Sequence, residues 1–292
     1  NLTLNATFQP DFGQVEADPA QLNISPFETH YSEKRPFFIE GQQYFWHPDF
    51  IMFNPRRIGT GDLNSRIRAA GKLLGKTANG ISIAALYAAT DITDEGQAHN
   101  FLVNGDHLTH YAFGKFGKEF MDGAHSFNIA QSMVIRPEFP GTSHPIEERD
   151  GYTTGADFDL NFKDREYNIH GSFIGSIVDK VGDTRSDMIQ PEPPQIYGTG
   201  GFFEVQRLGG LVQGGLYGKW ETDKLDINDF GYLEAPDEIA AGGWTQYEWI
   251  PKPDNSLFRK GDIELSFRDS WFYSGAQGPR GTDGKPIWEY DT

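Results

Sequence analysis

Residues 155–177, "GADFDLNFKDREYNIHGSFIGSI", alternate with a period of two on both sides of a turn. Ala156, Phe158, Leu160 and Phe162 fall on one face, and Asp157, Asp159, Asn161 and Lys163 on the other. After Asp164-Arg165, Tyr167, Ile169, Gly171, Phe173, Gly175 and Ile177 alternate with Asn168, His170, Ser172, Ile174 and Ser176. Successive strand side chains point to opposite faces, so the pattern predicts an antiparallel hairpin with one apolar and one polar face. Only Ile174 interrupts the polar set. Arms of roughly ten residues exceed the 5–6 usual in soluble sheets and match a strand that crosses a bilayer at a tilt.

The same rhythm recurs along the chain. "LTLNATF" (Leu2–Phe8) alternates from the start, and Arg66–Lys76 and Ile81–Ile92 flank a Thr-Ala-Asn-Gly turn. "HLTHYAFGKFGKEF" and "HSFNIAQSMVIRP" pair around Met121-Asp122-Gly123, and "GFFEVQRLGGLVQGGLYGKWE" folds back at Leu208-Gly209-Gly210. "DIELSFRDSWFY" is the last clear strand. About ten strands in consecutive hairpins are expected, joined by tight turns and by long polar loops at Pro137–Asp150, Asp179–Thr199 and Asp223–Gly261. Short turns alternating with long loops predict an all-β, antiparallel, up-and-down transmembrane β-barrel. A soluble meander, propeller or sandwich has the same alternation, but there the apolar face meets a second layer.

Composition narrows the function classes. A formal charge of −17 argues against nucleic acid, whose phosphates need a basic face. Without cysteine there is no disulfide framework and no thiolate metal site. No apolar run approaches the 18 residues of a membrane helix, which leaves strands as the means of crossing.

One segment fits no strand. Pro10–Gly41, "PDFGQVEADPAQLNISPFETHYSEKRPFFIEG", is too charged for a core strand and too aromatic for a linker. A barrel lumen tolerates charges if they are paired. The segment is expected to be a luminal plug held by Glu16, Asp18, Glu28, Glu33, Lys34, Arg35, Glu40, Arg56 and Arg57, with Phe37 and Phe38 anchoring it to the wall or rim. Residues 1–65 then form a first strand plus a luminal or periplasmic segment, and 66–292 the barrel hairpins.

That opening run, "FQPDFGQVEADPAQLNISPFETHYSEKRPFFIEG", followed by "NPRRIG" and "AAGKLLGK", resembles a family of Gram-negative outer-membrane β-barrels of unassigned function. Pro10–Pro19, Phe27–Gly41 and Arg56–Gly59 carry the resemblance, and "DKLDINDFGYL" (Asp223–Leu233) adds a later segment. Gln9 stands where the family usually has Asn, and Asn54-Pro55 where it usually has Tyr-Ser. The resemblance implies a barrel that commonly follows a carbohydrate-binding-like β-sandwich, and a longer barrel than this chain supplies. It implies an outer-membrane location with lipid and lipopolysaccharide as surroundings, other outer-membrane or periplasmic proteins as partners, and no established activity.

Candidate chemistry is sparse. Asp223, Asp226, Asn228 and Asp229 form an acidic loop that offers oxygen ligands for Ca²⁺, although Asn-Asp clusters more often make turns. No nucleophile motif is present; Ser132 or Ser172 near His170 is an imaginable pair that no spacing selects. The expectation is a non-enzymatic barrel without a cofactor, for substrate passage or export or as a membrane scaffold. The alternative is a soluble or surface carbohydrate-binding β-protein using Trp244, Trp249, Trp271 and Trp288 as stacking platforms.

Overall fold

A computed structural model describes residues 1–10, 28–59, 65–92, 108–136, 149–180, 195–249 and 261–274. It contains one antiparallel sheet of eleven strands in chain order. These are β1 (Leu2–Phe8), β2 (Ser65–Lys76), β3 (Ile81–Ile92), β4 (Leu108–Phe120), β5 (His125–Ile135), β6 (Arg149–Phe162), β7 (Tyr167–Lys180), β8 (Gln195–Arg207), β9 (Val212–Glu221), β10 (Glu238–Trp249) and β11 (Gly261–Trp271). Among the described residues the sheet is not closed: there β1 pairs only with β2, and β11 only with β10.

Strands β2–β11 run 10–14 residues. At about 3.3 Å per residue and a tilt near 40°, ten residues rise about 25 Å. Connections at one end are four residues each (77–80, 121–124, 163–166 and 208–211), and the β10–β11 connection (250–260) also lies there. At the other end, 93–107, 136–148, 181–194 and 222–237 are several times longer. The tight turns use positive φ: Met121, Asp122 and Gly123 in one, Lys163, Asp164 and Arg165 in another. Short polar residues tolerate this region best, so Met121 and Lys163 hold it through the hairpin closure around them.

The sequence expectation differs from the sheet at one strand. Asp223–Gly261 reads as a single loop, yet β10 occupies its middle. Ala240-Ala241 and Gly242-Gly243 give both faces the same small side chains there and erase the period-two signal. The strand forms because its neighbours pair with it on both sides, from Glu238↔Glu221 to Tyr247↔Val212 and from Ile239↔Trp271 to Trp249↔Gly261.

The two faces of the sheet are chemically distinct. Leu4, Tyr87, Phe116, Ile129, Phe162, Phe173, Phe203, Leu216, Tyr247 and Leu265 lie on one face, and all are exposed. Phe158, Leu160 and Ile169, on the same face, are only partly covered. No second layer packs on that face among the described residues. Polar groups within it find each other, the Tyr87 hydroxyl with His110 Nδ1 at 2.6 Å and the Thr154 hydroxyl with Gln131.

The core lies on the opposite, inner face. Residues 28–59 cross it as an irregular segment with one helical turn, α1 (Pro36–Ile39), and 3₁₀ turns at Gln42–Tyr44 and Pro55–Arg57. Phe38, Phe45, Phe50, Met52, Phe53 and Ile58 from this segment are buried with Leu74, Leu86 and Phe113 of the wall. The β9–β10 loop folds in beside them through Leu225, Ile227 and Phe230. Ile174, the odd apolar residue of the inner face, is fully buried in this cluster. A Cβ on Gly200 would fall within contact of both Ile174 and Leu225, so the loop sits directly over it.

The loop needs small wall residues. A Cβ on Gly198 would collide with the Leu225 backbone, which cannot swing away as a side-chain tip would. Gly198→Ala is therefore expected to cost about 1–3 kcal/mol, the usual range for overpacking. Urea unfolding followed by tryptophan fluorescence checks this, and an unchanged midpoint would show that the loop is not packed there.

Candidate functional site

Four fastenings hold the inner segment and the β9–β10 loop beside it in place, two of them tying the segment directly to the sheet. The first is internal. Arg35 makes a bidentate pair with Glu33, Nε to Oε1 at 2.9 Å and Nη2 to Oε2 at 2.8 Å. Its Nη1 donates to the Ile58 carbonyl (2.8 Å) and its Nη2 to the Pro55 carbonyl (2.6 Å), while the guanidinium lies 4.4 Å from the Phe38 ring centroid. One arginine thus closes the chain from residue 33 to residue 58. Burial pushes the Glu33 carboxyl up, but the hydrogen bonds and charge of Arg35 outweigh it and hold it below the usual range.

The second fastening is Lys72 on β2, whose side chain is 1% exposed. Its ammonium donates to the carbonyls of Phe37 (2.5 Å) and Glu40 (2.6 Å) and lies 4.9 Å from the Phe37 ring centroid. The Glu40 carboxylate is 3.3 Å away and also accepts from the Asn5 amide at 2.9 Å. Carbonyls at the end of a helical turn carry partial negative charge, which suits a buried cation.

The third lies against β4, β6 and β7. Lys115 donates to the Trp46 carbonyl (2.5 Å) and stands 3.8 Å from Asp157. Asp49 Oδ2 accepts from the Ser172 hydroxyl (2.5 Å) and pairs with His170 Nε2 (2.9 Å). Serine, histidine and aspartate therefore meet, but not as a nucleophilic relay. Both partners bind the same carboxylate oxygen, so the serine proton goes to Asp49 rather than to the imidazole. These bonds hold the Asp49 carboxyl below its ordinary value despite burial, which alone would raise it.

His47 is buried beside them, and its Nδ1 accepts from the amides of Asp49 (3.4 Å) and Phe50 (3.2 Å). An accepting Nδ1 places the proton on Nε2 and keeps the ring neutral. Burial lowers its pKa to about 4, against the attraction of Asp157. The unfolded chain takes up this proton near the ordinary histidine value of 6.5, so stability declines as pH falls from 6.5 towards 4. Glu33 and Asp49 act in the same direction at lower pH, below their ordinary values of 4.5 and 3.8. The expected slope for one proton is at most about 1.4 kcal/mol per pH unit. Hydrogen exchange of residues 38–58 between pH 7.5 and 4 measures it, and His47→Gln is expected to flatten the upper part of the curve.

The fourth fastening holds the β9–β10 loop. Asp229 pairs with Arg136 (2.7 Å) and Arg149 (3.2 Å), and Asp226 with Arg149 (2.9 Å). Asp226 also accepts from the Asn228 amide (3.0 Å), and the Asn228 side chain bridges both backbone groups of Leu233. The loop joins the inner segment through the Ile51↔Tyr232 bridge and the Asn54 amide to the Phe230 carbonyl (2.7 Å).

Of the charged residues expected to hold the segment, the described contacts tie several in local pairs. Arg57 pairs with Glu28 (2.7 Å) and Arg56 binds the Ser32 carbonyl (2.8 Å), apart from the Arg35–Glu33 knot. The Glu33 carboxylate accepts from the backbone amides of Lys34 and Arg35. Glu16 and Asp18 lie outside the described residues. Phe38 is the core anchor, and Phe37 sits at its edge against Lys72. Of the acidic loop, Asp226 and Asp229 face arginines and Asn228 shapes the turn. Among the described residues no group of three or more His, Asp or Glu is arranged to hold a metal ion. Lys72, Asp49, His47 and Arg149 were not singled out by the sequence; their partners lie 32 to 123 residues away or are backbone atoms, and local spacing carries neither.

The tryptophans divide between the faces. Trp244 pairs with Gly215 and points inward, whereas Trp249 and Trp271 lie on the exposed outer face; Trp288 is outside the described residues. They do not make one platform.

No curated protein and no solved structure matches the chain. Residues 1–276 match the family model described as a domain of unknown function (DUF5916). The chain belongs to the DUF5916 family.

Proposed function

We propose that this chain forms wall and internal plug of a β-barrel in the outer membrane of Gram-negative cells, serving substrate passage or export or acting as a membrane-embedded scaffold. The observation that carries the reading is the outer face: large apolar side chains from β1 to β11 are exposed in a continuous field. Soluble monomers rarely expose a contiguous apolar patch beyond a few hundred Å². Lipid is the surrounding that removes the cost.

Two further features support it. Four of the five connections at one end of the sheet are four residues long, whereas those at the other end are several times longer. The inner face is polar where uncovered and holds a plug where covered, as a lumen requires. Unpaired backbone groups in hydrocarbon cost several kcal/mol each, so the edges of β1 and β11 need partners. We assign that role to further strands of the same protein. The reading is tested by reconstitution into vesicles of brominated phosphatidylcholine. Fluorescence of the outer-face Trp220, Trp249 and Trp271 is expected to be quenched, and quenching absent from all three would overturn the bilayer placement.

A further inference from the structure

We infer that the inner face of β8–β10 is a track for a neutral oligosaccharide, an inference that rests on the barrel reading and names the substrate class of its lumen. Three aromatic residues form a diagonal there. Register aligns Phe202 with Lys219, Tyr217 with Glu204 and Gly242, and Trp244 with Gly215. Each step moves one strand across and two residues towards the short-turn end, about 8 Å in all.

Glycines let the rings lie down. A Cβ on Gly242 would lie 2.5 Å from Tyr217 Cζ, and one on Gly215 would lie 2.8 Å from Trp244 Nε1. The Tyr217 and Trp244 rings therefore each reach across a neighbouring strand. Phe202 and Tyr217 stack at 5.8 Å between centroids and 22° between planes. All three are half-buried, and no described residue of the inner segment is bonded to them.

Hydrogen-bonding groups sit between the rings. Glu204 accepts from Trp244 Nε1 at 3.3 Å and keeps a second oxygen for a ligand hydroxyl. Gln206 and Gln213 flank the same rings with both donors and acceptors. Flat aromatic faces interleaved with amides and a carboxylate suit a chain with apolar C–H faces and hydroxyl edges. Glu204 beside the rings, with Glu221 and Glu238 above them against Lys219, disfavours an anionic chain. A cavity of about 480 Å³, bounded in part by Lys219, Glu221 and Glu238, opens at the head of the diagonal on the long-loop side.

The test is a fluorescence titration of the purified protein in detergent with maltohexaose, cellohexaose and laminarihexaose, and with hexalysine as a cationic control. Saturable binding of at least one hexasaccharide is expected. Trp244→Ala should weaken it about tenfold or more, as truncating an aromatic anchor does, while Trp244→Phe retains most of it. Trp249→Ala, on the outer face, should leave it unchanged. Failure of all three sugars, or binding of hexalysine alone, overturns the inference. Gel mobility of unboiled samples, run in parallel, separates the two claims. A heat-shifted protein that binds no sugar loses only the track, whereas a detergent-independent protein that binds through Trp244 loses the barrel.

Discussion

Arg35→Ala is expected to loosen the inner segment by about 3–5 kcal/mol, the cost of removing one member of a buried ion pair. The substitution strips the Glu33 carboxylate of its two guanidinium bonds while leaving it buried; its side chain is 2% exposed. It also leaves the Pro55 and Ile58 carbonyls without their donor and removes the cation from the Phe38 ring. Its described partners all lie within the segment, so the sheet should persist. Hydrogen exchange at Phe38, Phe45 and Ile58 should rise by several orders of magnitude while strand amides stay protected. Equal protection in the variant would mean that the apolar cluster alone holds the segment.

Lys72→Ala is the second large effect, about 3 kcal/mol, because two carbonyls lose a donor and the buried stem loses its packing. The ammonium is the link between β2 and the last turn of α1, and Asn5 of β1 reaches the same Glu40. Lys72→Arg is expected to recover only part of the loss, since a planar guanidinium needs more room than a point cation converging on two carbonyls. The difference in urea midpoint between the two variants measures how closely the site is shaped to an ammonium. Equal midpoints for wild type and Lys72→Ala would contradict it.

Much of the sheet was legible in the sequence because its two faces differ in side-chain chemistry. In β6 and β7 the outer residues are Phe, Leu, Tyr and Ile and the inner ones Asp, Asn, His and Ser, so the period of two is unmistakable. Ile174 stood out as an exception, and its reason, the folded-in Leu225, lies fifty residues away. β10 was illegible because alanine and glycine carry no facial preference. The inner segment was legible as a unit, from its charge and phenylalanines, but not as a set of contacts. Lys72 reads as one more polar residue of an inner face, and His47-Pro48-Asp49 reads as a turn. The acidic loop shows its carboxylates in the sequence, as turn formers or oxygen ligands alike, but not that Arg136 and Arg149 converge on two of them.

What the fold positions follows from these contacts. The described residues of the segment contact the inner face along β1–β7, and none of them is bonded to the inner aromatic diagonal of β8–β10. Weakening the fastenings at Arg35 or Lys72 would change the covered side first.

The most direct measurement for the barrel is the detergent dependence of the full-length protein, read by gel migration before and after boiling. A protein that needs detergent to stay monodisperse and runs faster unboiled than boiled is the predicted result. A protein monodisperse in plain buffer with identical migration in both samples would contradict the membrane reading, because the exposed apolar face of all eleven strands would then have to be covered by protein instead of lipid.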